Sequence, residues 1–235
     1  MYFQHLEIDM IALGSAAISG RAATEMLLPA VKSPKLLYFR AKRLFDIAFT
    51  LAAAPFVLTI VGILALLIML DGGQPFYSQS RVGKHGMIFR LWKLRSMVPD
   101  AEQALETLLA SSPEARAEWD RDQKLKRDPR ITPVGRFIRK YSLDELPQFI
   151  NVLIGHMSLV GPRPMFPEQL SHYAGNDYFG LRPGLTGLWQ ISKRSSSSFG
   201  ERAVLDTRYA GIMSLTTDIQ IIALTSLAVY RGTGV

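Results

Sequence analysis

From Ile47 to Leu70 the chain carries no charged side chain, and this run limits the possible folds more than any other feature. As a helix it would extend roughly 36 Å, against a bilayer core of about 30 Å. So long an uncharged stretch is rare inside a soluble domain. Two features argue against a simple crossing. Pro55 lies well inside the run, where a proline removes a backbone hydrogen bond and costs about 3 kcal/mol in a straight helix. Both flanks are basic, with Lys35, Arg40, Lys42 and Arg43 before and Arg81, Lys84, Arg90, Lys93 and Arg95 after. A spanning helix carries a charge bias between its two sides. A helix that breaks at Pro55 and returns to the same leaflet satisfies both observations, and a spanning helix kinked at Pro55 is the competing reading.

The 235 residues leave room for one domain with a core, plus appendages. We divide them into an arm or surface-lying helix at 1–34, a membrane anchor at 35–71 and a cytosolic domain at 72–235. The opening residues do not read as a secretory leader, because His5, Glu7 and Asp9 stand where basic residues should, and the first arginine is Arg21. A net charge of +7 points to an anionic partner: nucleic acid, anionic lipid or a phosphorylated substrate. The absence of cysteine excludes disulfides, thiolate zinc sites and a cysteine nucleophile. His5, His85, His156 and His172 show no metal-ligand spacing.

Beyond the anchor, Pro75–Val82 and Met87–Leu94 flank the turn signal Gly83-Lys84-His85-Gly86 and predict a β-hairpin. Residues 100–127 favour one or two exposed helices interrupted at Ser111-Ser112-Pro113. A C-terminal helix is expected from about Thr217 to Tyr230, packed on the core or lying on a membrane surface. The fold class is therefore α/β and mostly helical, with a small antiparallel hairpin.

The segment 124–148 is the richest in chemistry. It sets Lys124, Lys126, Arg127, Arg130, Arg136, Arg139 and Lys140 ahead of the adjacent carboxylates Asp144 and Glu145. Arginines bind diphosphate oxygens bidentately, and carboxylates hold a metal or attack phosphorus. The bland alternative is as economical, since Ser142 to Glu145 also fits a helix-capping box. Pro147 would be tolerated if the helix began near Asp144, in its first turn. Lys93 and Arg95 end a strand, at a pocket or on a solvated face. Gly161-Pro-Arg-Pro and Arg182-Pro-Gly are phosphate-facing turns or structural corners. Trp92 and Trp189 read as core, and Asp206 and Tyr209, three apart on a helix, as a buried polar pair. No Walker A, G-x-G-x-x-G, H-E-x-x-H or G-x-S-x-G motif is present.

In order along the chain stand KRLFDI at 42–47, SQSRVGKHGMIFRLWKLRSM at 78–97, DPRITPVGRFIRKYSLDELPQ at 128–148, MSLVGPRP at 157–164, RPGLTGLWQIS at 182–192 and SFGERAVLDTRY at 198–209. This series resembles the bacterial sugar transferases known as monotopic phosphoglycosyl transferases, in a small, exopolysaccharide-type form. The resemblance implies a re-entrant helix-break-helix anchor and a bulk on the cytoplasmic face of the bacterial inner membrane. It implies transfer of a sugar-1-phosphate from a UDP-sugar to undecaprenyl phosphate, releasing UMP, with Mg2+ as cofactor. Its partners would be donor, lipid acceptor and membrane lipid, with no nucleic acid; a homodimer is compatible. Asp144 would attack the sugar-linked phosphorus and Glu145 would bind the metal. Lys93 and Arg139 would lie near the diphosphate or carrier phosphate, Arg163 at the G-P-R-P turn, and Arg182 on the nucleotide side. Asp206 and Tyr209 would belong to a further polar cluster. His156 and Lys193 depart from the usual pattern. Glucose, galactose and N-acetylated amino sugars all fit, with a plain hexose favoured. A basic binding protein whose acid pair caps a helix, and a silent paralogue, are the competing readings.

Overall fold

The structure, a computed structural model, describes residues 34–122, 125–192 and 199–232. The arm expected at 1–34 lies, apart from Pro34, outside the described residues, as do Lys193 and the serine run 195–198. The chain divides into two compact units, Met1–Arg40 and Ala41–Val235. The described part of the first is the opening of helix α1 (Pro34–Leu70).

Helix α1 contains Pro55 without interruption. The break expected there is not seen in the backbone, because a proline deletes only its own N–H and a helix can continue past it. Thr59 Oγ1 donates to Pro55 O at 2.8 Å, on the turn that follows. Within the second unit, one face of α1 is buried at Lys42, Asp46, Thr50, Val57, Val61, Leu64 and Ile68, a spacing that follows the helical repeat. The opposite face leaves Phe56, Leu58, Ile63, Leu66, Met69 and Leu70 exposed.

Both ends of this stripe are tied to the same unit. At one end Lys42 Nζ meets Asp218 Oδ2 at 2.8 Å. Asp46 accepts from Ser158 Oγ at 2.8 Å and from the Leu159 N–H at 3.1 Å. Arg43 donates to the Val152 and Leu153 carbonyls. At the other end Arg95 donates to Ile68 O at 2.9 Å and Gly72 O at 2.6 Å, satisfying carbonyls that a helix end leaves without partners.

Strands β1 (Phe76–Val82) and β2 (Ile88–Leu94) form the expected antiparallel hairpin, with Tyr77 opposite Lys93. Its turn holds His85 in the left-handed region at φ 59. Helices α2 (Ala101–Ser111) and α3 (Pro113–Asp122) are split at Ser112, and α2 buries none of its residues. Helix α4 (Pro133–Lys140) starts at Thr132, whose side chain accepts from the Gly135 N–H, with a proline pre-set for the first turn. A 3-10 turn (Leu143–Glu145) leads into α5 (Gln148–Ile154).

Of the remainder, the C-terminal helix expected from about Thr217 to Tyr230 is present, while the pairing of two short strands was not foreseen. Strands β3 (Ser158–Val160) and β4 (Gly184–Thr186) pair in parallel. Short helices α6 (Asp177–Gly180) and α7 (Leu188–Ile191) precede α8 (Phe199–Ile212) and α9 (Leu215–Tyr230). The β3–β4 pairing decides the role of the two Gly/Pro clusters. A Cβ on Gly161 would stand 2.3 Å from Arg182 O, and one on Gly184 would stand 2.1 Å from Gly161 N. Only glycine permits that backbone approach, so Gly161 and Gly184 make structural corners. One core cluster joins Val57, Val61, Leu64 and Ile68 of α1 to Leu94 and Ile138; a second gathers Val82, Met165 and Tyr178.

Candidate active site

The hairpin and the carboxylate turn meet at a single cation. Lys93 Nζ lies 2.9 Å from Asp144 Oδ2 and 3.0 Å from Glu145 Oε1, with side-chain exposures of 15%, 13% and 26% in that order. The geometry originates in the backbone. Ser142 adopts φ 53, a left-handed conformation that costs a non-glycine residue roughly 1–2 kcal/mol. The Glu145 N–H then donates to Ser142 O at 3.2 Å, closing the 3-10 turn. The acid pair thus sits on this turn, with Pro147 as the N-cap of α5 and Gln148 its first residue. The expected placement of Asp144 at the start of an α-helix is corrected accordingly, and Ser142 makes no side-chain cap bond.

Asn151 locks the turn to the strand. Fully buried, it accepts from the Trp92 N–H at 3.2 Å and donates through Nδ2 to Arg90 O at 2.7 Å. It therefore imitates a neighbouring strand along β2 and holds α5 against the residues flanking Lys93. The sequence offered one sign of it, an amide among Ile150, Val152 and Leu153. Trp92, read as core, is 40% exposed, because alternation along β2 puts it on the same exposed face as Ile88 and Arg90.

Electrostatics set the pair apart. Burial pushes the Asp144 carboxyl above its ordinary value, partly countered by Lys93, with Glu145 adding to the rise and Arg139 opposing it. Burial alone would lower the Lys93 ammonium, but Glu145 and Asp144 outweigh it and hold the lysine charged. Tyr77, which sequence reasoning passed over, lies in the same field. Its phenol is raised first by burial; Lys93, Arg139 and Arg81 pull it down, and Asp144 pushes it up.

Arg81 opens a second, positive cluster with Arg163 and Arg202. Arg81 stacks on Phe166 at 3.1 Å from the ring centre, and Arg163 lies 4.8 Å over Trp189. Arg202 donates to Arg163 O. Burial, then Arg163, lowers Arg81 to about 10. Asp206 is raised to about 6 by burial, although Tyr173 Oη donates to it at 2.9 Å and Arg202 opposes the rise. Asp206 and Tyr209 do not form the polar pair expected of them. Tyr209 Oη donates to Asp218 Oδ1 at 2.7 Å, beside Lys42 and away from Tyr173. Arg182 donates from Nε to Gly155 O at 2.9 Å, bracing the end of α5, and His156 rests against Phe89.

Among the described residues no group of three or more histidines, cysteines or carboxylates could hold a metal. Two adjacent carboxylates facing one lysine still carry a net negative charge. Mg2+ is commonly bound by one or two carboxylates together with substrate phosphates, so this donor set fits an ion that arrives with a diphosphate and does not fit an all-protein cage.

A family model described as bacterial sugar transferase matches residues 37–232. The chain is 47% identical over 195 residues to a UDP-galactose-lipid carrier transferase of Erwinia amylovora, covering 82% of this chain and 41% of the relative. It is 46% identical, with the same coverage, to an undecaprenyl-phosphate galactose phosphotransferase of Salmonella typhimurium. It is 43% identical to the exopolysaccharide production protein ExoY of Rhizobium meliloti, covering 83% of this chain and 87% of the relative. The chain thus spans about two fifths of the length of the first two relatives and most of the third.

Proposed function

Since the chain belongs to the bacterial sugar transferase family, we propose that it transfers a sugar-1-phosphate from a UDP-sugar to undecaprenyl phosphate, releasing UMP, at the start of exopolysaccharide or related glycan assembly. The observation that carries the reading is the Lys93 bridge to Asp144 and Glu145. A helix cap needs no buried cation across both carboxylates, whereas a nucleophile facing anionic phosphates does.

In the first displacement an Asp144 oxygen attacks the sugar-linked phosphorus, and the bond to the bridging oxygen breaks, with UMP carrying away that electron pair. In the second, a carrier phosphate oxygen attacks the same phosphorus and the bond to Asp144 breaks, regenerating the carboxylate. Lys93 holds Asp144 ionised and aimed, and Arg139 adds positive charge beside it. Arg81, Arg163 and Arg202 supply charge for the nucleotide end. Glu145 would hold Mg2+, which neutralises diphosphate charge when bound.

The membrane arrangement follows from the anchor. Helix α1 is long and apolar enough to cross a membrane, yet Lys42 and Asp46 near one end and Ile68 at the other are tied to one folded unit. That tie favours an anchor with both ends on one side, as a re-entrant path requires, and a soluble UDP-sugar places that side in the cytoplasm. The relatives named for galactose make UDP-galactose the first donor to try.

The test is UMP release by nanodisc-held protein with Mg2+, undecaprenyl phosphate and a panel of UDP-sugars, beside Asp144→Asn. Carrier-dependent release lost in the variant is the expected result. Release that survives in Asp144→Asn removes Asp144 as nucleophile, and silence across the panel from folded protein removes the transferase reading.

A further inference from the structure

Behind the carboxylate turn lies a cavity of about 460 Å³ that nothing above uses, a size typical of ligand sites. Glu145 and Ser142 belong to its wall, so it reaches the carboxylate next to Asp144. Most of the remaining wall is apolar: Leu146 and Phe149 beside the turn, Phe49 from α1, Leu159 and Leu185 from the parallel-strand region, and Ile222 from α9.

Three hydroxyls on this wall, those of Thr186, Thr225 and Ser226, are turned to other partners. Thr225 Oγ1 donates to Ile221 O at 2.8 Å and Ser226 Oγ to Ile222 O at 2.9 Å. Thr186 Oγ1 lies 2.6 Å from Thr225 Oγ1. A sugar or a base needs polar partners in its pocket, and a buried polar group without one is costly. This wall therefore suits a hydrocarbon. The helices that line it also carry exposed apolar residues outside the cavity, Ile150 and Ile154 on α5 and Leu224 and Leu227 on α9, so the cavity resembles in character the apolar surface beside it.

We propose that this cavity receives the first isoprene units of a polyprenyl phosphate, placing the carrier's phosphate at Asp144. The inference rests on the function proposed above and deepens it. The occupant must have an apolar chain joined directly to an anionic head. The cavity supplies the first requirement, and the Lys93 and Arg139 charges beside Asp144 supply the second. The tail fills a wall already formed by the protein, and the head reaches phosphorus without leaving the bilayer surface.

The experiment uses the full chain in nanodiscs with geranylgeranyl phosphate bearing a diazirine in its head-proximal isoprene unit. Photolabel mapped by peptide mass spectrometry is expected on 141–149 and 222–230, and to be competed by undecaprenyl phosphate but not by phosphatidylglycerol. Label confined to the exposed face of α1, or competed equally by the phospholipid, overturns the proposal; in the second case an ordinary acyl chain holds the cavity. Ser226→Phe adds bulk at a wall position whose hydroxyl bonds only its own helix. It is expected to raise the carrier KM about tenfold while the donor-only burst of UMP stays within about twofold. An unchanged carrier KM also overturns the proposal. The two readings fail separately: cavity labelling without any UMP burst from the unaltered protein sinks the reaction, and turnover without cavity labelling sinks the tail site.

Discussion

Replacing Lys93 with alanine leaves Asp144 and Glu145 adjacent, largely buried and without the cation that lies 2.9 and 3.0 Å from them. At such distances each pair is worth roughly 5 kcal/mol at an effective dielectric near 20, a gross figure that desolvation offsets. Removing one partner of a fully buried pair costs about 3–5 kcal/mol. The 13% and 26% exposures of the carboxylates admit some water, so we take ~2–3 kcal/mol, or ~30- to 150-fold in rate when the whole of it falls on the transition state. The sign is fixed. Burial already pushes the Asp144 carboxyl up, and Lys93 is the leading influence pulling it down. Without Lys93 the acid keeps its proton to higher pH, and activity is regained as pH rises. The assay is the pH profile of UMP release between about pH 5 and 9, with folding checked by thermal melt. Lys93→Ala should lose ~30- to 150-fold at pH 7 and move its acidic limb upward, while Lys93→Arg should keep the limb in place. A uniform loss with an unmoved limb would refute the electrostatic account and leave Lys93 with a merely spatial role.

The remaining predictions concern the scaffold. Asn151→Leu removes both bonds to β2 and strands the Trp92 N–H and Arg90 O, at about 1–3 kcal/mol each; melting should fall and UMP release with it, and intact activity at a normal melting temperature would disprove the locking role. Asp206, with a folded value of about 6, binds its proton more tightly folded than unfolded, so its contribution to stability is fully present below about pH 4 and lost as pH rises through 6, by roughly 3 kcal/mol. Asp206→Asn should flatten that slope between about pH 4 and 7 in detergent melts, and an unchanged slope would contradict the assignment. Lys42→Met abandons Asp218, whose side chain is 0% exposed, and should cost about 3–5 kcal/mol; the double variant Lys42→Met with Asp218→Leu should recover most of the loss in chemical unfolding, and failure to recover would place the cost elsewhere.

Local chemistry was legible from the sequence; long-range placement was not. Gly83 to Gly86 between alternating runs marked the hairpin, and Ser112-Pro113 marked the split between α2 and α3, because turns and caps depend on neighbours in the chain. Asp144 and Glu145 stood out beside their arginines, but their cation, Lys93, is 51 residues away and only the folded hairpin brings it across. Asp206 and Tyr209 share a helical face, yet Tyr173 claims one and Asp218 the other, choices that no periodicity records. The parallel pairing of Ser158 with Gly184 joins segments with no shared turn. Gly161 and Gly184 therefore looked as much like phosphate-facing turns as like the corners they are. Pro55 shows the opposite limit: a local rule predicts a break where the helical backbone runs on.

Arg95 grips Ile68 O and Gly72 O two positions beyond Lys93. The grip on the anchor and the cation of the acid pair are therefore one short, stiff lever. A pull on α1 would reach Lys93 through Arg95, so turnover in nanodiscs of graded acyl length is expected to change with lipid thickness, and turnover that stays level would show the two grips to be independent.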